Sequence, residues 1–269
     1  MRYAFYILSI LILPNISWAH DPYICQPNEL GAKVMMIGDS NAFLLGKQVQ
    51  KYWYSDTGPV YSDLLSEEES RHIVKFYNLG IFASGLVREF KDFKPFINQS
   101  LFSKTYLKEH WSDVFKNETD KLSFKSQDIV IIWLGTNDNQ DGMGHARLSP
   151  SWWDKYENKV KSIANTCQTK NLDCYWIGPA AVTVSQSLRG FLNGLNNKFY
   201  LWLSEYPNVT YLNIFNKFGA NDFKSDGFHL NSQAEIRLLN ELNAQITFRR
   251  GYNIQSNAQY IRNCNAKLH

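Results

Sequence analysis

The chain has 269 residues, 44% hydrophobic and 15% aromatic, and its 28 basic residues nearly balance its 25 acidic ones for a formal charge of +3. That size suits one α/β domain with a full core. The near balance excludes a strong field for nucleic acid or an anionic membrane surface.

Residues 1–19 read as a signal peptide that is removed from the folded product. Arg2 precedes a short apolar core centred on Ile7 to Ile12, and Ser17-Trp18-Ala19 fits a small-x-small cleavage site. Pro14 and Asn15 break the core too soon for a membrane span. Cleavage leaves residues 20–269 as a single domain, and Cys25 lacks the small-residue context of a lipoprotein. The expected product is a soluble protein, secreted or periplasmic. Trp18 aside, the tryptophans remain after cleavage, most expected in the core and a few on a sugar-stacking or acyl-binding surface.

The first strand is expected over Lys33 to Ile37, continuously apolar and so buried on both sides. It breaks at Gly38-Asp39-Ser40-Asn41 into a helix running to about Tyr54. That handover places Ser40 beside a helix N-terminus, where amides favour developing negative charge. A second strand, Ile73 to Leu79, ends in a stretch holding Gly80 and Gly85. Residues 86–126 read as a helical insertion over one side of the sheet edge, with Arg88, Phe90, Lys91, Phe93, Lys94 and Phe96 on an amphipathic helix. Such insertions often determine substrate choice.

Asp128 to Leu134 forms the third strand, closed by Gly135-Thr136-Asn137-Asp138. In the loop beyond, His145 and Arg147 are candidates for substrate contact. Asn137, Asn139, Asp141 and Gly142 imitate the start of a calcium loop, but Leu148 stands where a bidentate carboxylate is needed, so no metal is assigned. Ser149-Pro150 caps a helix to about Gln168, Tyr175 to Ile177 is the fourth strand, and residues 187–205 are helical. Val209 to Ile214 is the fifth strand, and a helix from Ser232 to about Ile246 follows Asp226-Gly227-Phe228-His229. Five strands alternating with helices predict a three-layer α/β/α architecture on a mostly parallel sheet, with ligand at the carboxyl ends of its strands.

Export permits disulfides, and four cysteines allow three pairings. Cys167 ends a helix and Cys174 opens the next strand, close enough to pair locally. That leaves Cys25 with Cys264, tying the termini together. No C-x-x-C pair and no histidine at ligand spacing points to zinc.

Three blocks, taken together, resemble the GDSL/SGNH hydrolases. Gly38-Asp39-Ser40 is similar to the first block of that family, Gly135-x-Asn137-Asp138 to the third and Asp226-x-x-His229 to the last. The resemblance runs from about residue 33 to 247. It implies a flavodoxin-like SGNH-hydrolase fold, with Ser40 as nucleophile, His229 as general base and Asp226 orienting the imidazole. It also implies an oxyanion hole from the Ser40 amide, the Asn137 side chain and a glycine amide after the second strand, Gly85 in preference to Gly80. The implied activity is a cofactor-free serine esterase acting on short acyl esters, a small-molecule or glycan substrate such as an O-acetylated envelope carbohydrate. Two alternatives stand beside it: a glycan O-acyltransferase using the same serine, and a non-catalytic glycan-binding module on this scaffold.

Overall fold

A computed structural model describes residues 33–54, 76–80, 86, 110–138 and 149–250. The signal-like leader, Cys25, Cys264, the 88–96 helix, Gly85, His145 and Arg147 lie outside the described residues.

Within them the chain forms one five-stranded sheet: β1 (Val34–Gly38), β2 (Phe76–Gly80), β3 (Ile129–Trp133), β4 (Asp173–Ile177) and β5 (Val209–Leu212). All pairings are parallel, in the order β2-β1-β3-β4-β5. Successive strands are added on one side of β1 and then on the other, so the strand order reverses between β1 and β3, which opens a crevice at their carboxyl ends.

Among the described residues five α-helices accompany the strands: α1 (Ser40–Tyr54), α2 (Trp111–Lys121), α3 (Pro150–Thr169), α4 (Gln186–Leu203) and α5 (Ser232–Arg250). The alternation of side chains along the strands sorts them into two layers. Val34, Met36, Ile129, Ile131 and Trp133 face α1 and α5 through Leu45, Val49, Leu238 and Leu242. Met35, Ile37, Val130, Ile132 and Trp176 face α2, α3 and α4 through Phe115, Tyr156, Ile163, Leu195 and Phe199. Both faces are covered, which is why the first and third strands read as unbroken apolar runs.

The helix starts are written locally. Ser149 Oγ accepts from the Trp152 N–H with Pro150 in the first turn, and Ser185 Oγ accepts from the Leu188 N–H. Strand limits move by one to a few residues from expectation. β1 extends to Gly38 because that glycine still pairs with Gly80 on one side and Trp133 on the other. β4 starts at Asp173 because Asp173 and Cys174 pair with Ile129 and Val130. Cys167 and Cys174 form the local disulfide, joining the last turn of α3 to β4.

Most of the tryptophans lie in the core. Trp53, Trp111, Trp133, Trp176 and Trp202 are buried. Trp152 and Trp153 fill the seam between α3 and α4, where Trp153 stacks on Phe191 and Trp152 lies 5.0 Å from the Tyr156 ring. Two flat helices packed over a sheet leave wide gaps, and large rings fill them. Most tryptophans are thus core residues, as expected, and Trp152 and Trp153 stay partly exposed at this seam. Among the described residues no helix is long and apolar enough to cross a membrane.

Candidate active site

The site begins with a glycine that no other residue can replace. Gly38 has φ +148°, and a Cβ there would lie 2.0 Å from the Trp133 carbonyl oxygen and 2.7 Å from Ala42 Cβ. This close passage turns the chain from β1 straight into α1. The Asp39 N–H donates to Trp133 O at 3.2 Å, and Asp39 O accepts from the Phe43 N–H at 3.0 Å. Asp39 Oδ1 accepts from the Asn41 N–H at 2.8 Å, capping the helix. Ser40 consequently sits in the first turn of α1, where backbone N–H groups lack intrahelical acceptors.

Gly80 lies opposite Gly38 in register, and a Cβ on it would come within 2.4 Å of Phe43 N. Its bareness lets the first turn of α1 cross over β2. Its N–H donates to Asn78 Oδ1 at 3.2 Å, and Asn78 Nδ2 donates to Phe43 O at 3.1 Å. The Gly80 amide is thus used within this turn, while Gly85 lies outside the described residues.

Asn137 follows β3 on the same sheet edge, 7% exposed. Its neighbour Asp138 binds the segment after β2, with Oδ1 accepting from the Leu86 N–H and Oδ2 from the Tyr156 hydroxyl, both at 2.7 Å. Sequence reasoning missed Tyr156, which lies mid-helix without any local signal.

The last block is a closed loop. The Lys224 N–H donates to His229 O at 2.7 Å, the Gly227 N–H donates to Lys224 O at 2.9 Å, and Phe223 pairs with Leu230. Gly227 has φ +65° and touches Thr183 closely, and the Thr183 N–H donates to Gly227 O at 3.0 Å. Docked this way, the loop turns His229 toward α1. His229 Nε2 lies 2.7 Å from Ser40 Oγ, and His229 Nδ1 lies 2.7 Å from Asp226 Oδ2.

Proton positions follow from charge. Burial works against the Asp226 anion, but the N–H groups of His229 and Phe228 and the His229 ring outweigh it and hold the pKa at about 2. An ionised carboxylate only accepts, so the Nδ1 proton faces Asp226, and in the tautomer protonated there alone Nε2 is free to accept from the Ser40 hydroxyl. That arrangement can deprotonate an alcohol as it attacks.

Asp39, beside Ser40, is the opposite case. It is fully buried, and among the described residues Oδ2 has no hydrogen-bond partner. Burial pushes its pKa up to about 7, with the Asn41 N–H opposing and the Asp138 charge adding to the rise. Among the described residues no group of three or more His, Cys, Asp or Glu could hold a metal ion.

Solved structures share this arrangement of strands and helices. An acetylxylan esterase from Geobacillus stearothermophilus aligns with a TM-score of 0.50 at 14% identity, over 84% of this chain and 98% of that one. A GDSL-like lipase from Bacteroides thetaiotaomicron aligns with a TM-score of 0.51 at 13% identity, over 84% and 91%. A putative acylhydrolase from Bacteroides fragilis aligns with a TM-score of 0.50 at 14% identity, over 83% and 93%. No curated protein matches the chain. The fold is that of the GDSL/SGNH hydrolases. Within that class the chain belongs to the family described as "Protein of unknown function (DUF459)", whose model matches residues 79–244.

Proposed function

We propose that the protein is an exported serine esterase that removes short acyl groups from a carbohydrate. The observation that carries this reading is the relay of two 2.7 Å contacts, Ser40 Oγ to His229 Nε2 and His229 Nδ1 to Asp226 Oδ2. The names of the solved structures of like fold, an acetylxylan esterase among them, support the ester and glycan parts. A disulfide between Cys167 and Cys174 supports an oxidising compartment, outside the cytoplasm.

Ser40 Oγ attacks the acyl carbonyl carbon while its proton passes to His229 Nε2, and Asp226 stabilises the imidazolium. The tetrahedral oxyanion takes hydrogen bonds from the Ser40 N–H, the Asn137 side chain and the Gly85 N–H. The carbon–oxygen bond to the leaving alcohol then breaks, and that oxygen takes the proton from Nε2. Water repeats the sequence on the acyl-serine and frees the acid.

A fluorophosphonate probe tests the nucleophile. The folded protein should take one adduct, found by mass spectrometry on the peptide holding Ser40, and His229→Ala should label far more slowly. A folded protein that remains unlabelled at high probe concentration would remove the reading.

A further inference from the structure

A cleft of about 400 Å³ lies beside the His229 loop, lined by Val182, Thr183, Ser185, Gln186 and Arg189. We propose that it binds an oxyanion, a carboxylate or a phosphate, on the alcohol part of the ester. The inference rests on the esterase reading for its substrate and on the cleft alone for its ligand chemistry.

Position assigns the cleft to the leaving group. Thr183, in its wall, donates its N–H to Gly227 O at 3.0 Å and presents its hydroxyl to the same oxygen at 3.4 Å. Gly227 stands between Asp226 and His229, so one wall of the cleft is hydrogen-bonded to the loop that carries the imidazole. In the proposed reaction His229 returns its proton to the leaving oxygen, which must therefore lie next to that loop. The acyl carbonyl oxygen points instead toward the α1 N-terminus and Asn137.

The lining fits a sugar better than an acyl chain. The amide of Gln186 and the guanidinium of Arg189 line it beside one aliphatic side chain, Val182, while the hydroxyls of Thr183 and Ser185 already engage Gly227 O and the Leu188 N–H. Polar groups that converge in a cleft of this size orient a ligand by hydrogen bonds.

Arg189 decides the charge. It is exposed, and among the described residues no carboxylate pairs with it. Its guanidinium carbon lies 6.0 Å from the Phe215 ring centroid, which supports one face of the group and leaves the N–H edges for a planar oxyanion. Bidentate pairing of that kind is the geometry arginine offers to carboxylates and phosphates. The first turn of α4 adds positive potential at the same place.

The test is equilibrium binding to the Ser40→Ala protein of three acetylated sugars: a galacturonic acid oligomer, a phosphorylated sugar and a neutral xylooligosaccharide. At least one anionic ligand should bind about tenfold or more tighter than the neutral one, the size expected for a charged hydrogen bond. Added Arg189→Gln should erase that preference, Arg189→Lys should keep part of it, and salt should weaken it. Tighter binding of the uronide alone assigns a carboxylate, and of the phosphate alone a phosphate. Equal binding of all three ligands, or a preference untouched by Arg189→Gln, overturns the proposal. Aryl acetate hydrolysis by the parent protein, which needs no leaving-group anion, reports separately on the esterase reading.

Discussion

Ser40 and His229 are 189 positions apart in the chain and 2.7 Å apart in space, from Oγ to Nε2. Two local devices produce that meeting. Gly38 lets β1 turn into α1 without clashing with Trp133, and Gly227 lets the 224–229 loop settle on Thr183. Neither glycine touches the reacting atoms, yet each sets one half of the distance.

Gly38→Ala should therefore cost more than a surface change. Its φ of +148° and a Cβ 2.0 Å from a carbonyl oxygen leave no room for a methyl group without moving β3. Backbone strain alone at such a site is about 1–3 kcal/mol. Urea unfolding should show at least that loss, and activity should fall with it. Unchanged stability would mean that the β1–α1 turn relaxes freely.

Asn137→Ala removes a side-chain donor from the proposed oxyanion hole. Loss of one such donor typically lowers kcat by about two to three powers of ten. KM for an aryl acetate should change little, because the donor acts on charge that develops only in the transition state. A raised KM with unchanged kcat would place Asn137 in ground-state binding instead.

Asp39 gives stability a pH dependence of defined sign. Its carboxyl titrates at 3.8 when free and at about 7 in the folded chain. Between those values the unfolded chain releases a proton that the folded chain keeps, so this group's contribution falls as pH rises from about 4 to about 7 and then levels. Asp39→Asn keeps an oxygen for the Asn41 N–H and removes the titration. The variant should gain on the parent across that window, by on the order of 1–4 kcal/mol. A constant difference from pH 4 to pH 7 would show that Asp39 is already ionised at the acid end.

The legible parts of the chain were those in which short-range pattern and tertiary environment agree. Val34 to Gly38 and Ile129 to Trp133 are buried throughout, so their apolar runs announced interior parallel strands. Ser149-Pro150 wrote the start of α3 in capping chemistry. The three blocks pointed to Ser40, Asn137, Asp226 and His229 by type and order. What could not be read was direction. Gly80 and Gly85 are alike in sequence, and only the fold shows the Gly80 N–H bound to Asn78. Which face of the α3 helix Trp152 and Trp153 would cover is decided by Phe191 and Trp202, far along the chain. Tyr156 and Arg189 had no local signature, since a single residue in a helix does not announce which partner its face will meet.

The Cys167–Cys174 bridge closes a short loop whose ends are seven positions apart. Closing a loop of that length restricts the unfolded chain by about 2 kcal/mol in the chain-entropy account. Replacing both cysteines by serine should lower the thermal midpoint by roughly 4–8 °C. An unchanged midpoint would argue that the helix–strand junction is held by its core packing alone.

The most direct measurement is hydrolysis of an aryl acetate by the parent protein and by Ser40→Ala, each shown to be folded by circular dichroism. The relay requires that the parent turn the ester over and that the variant fall to background. Equal turnover by the two proteins would contradict it.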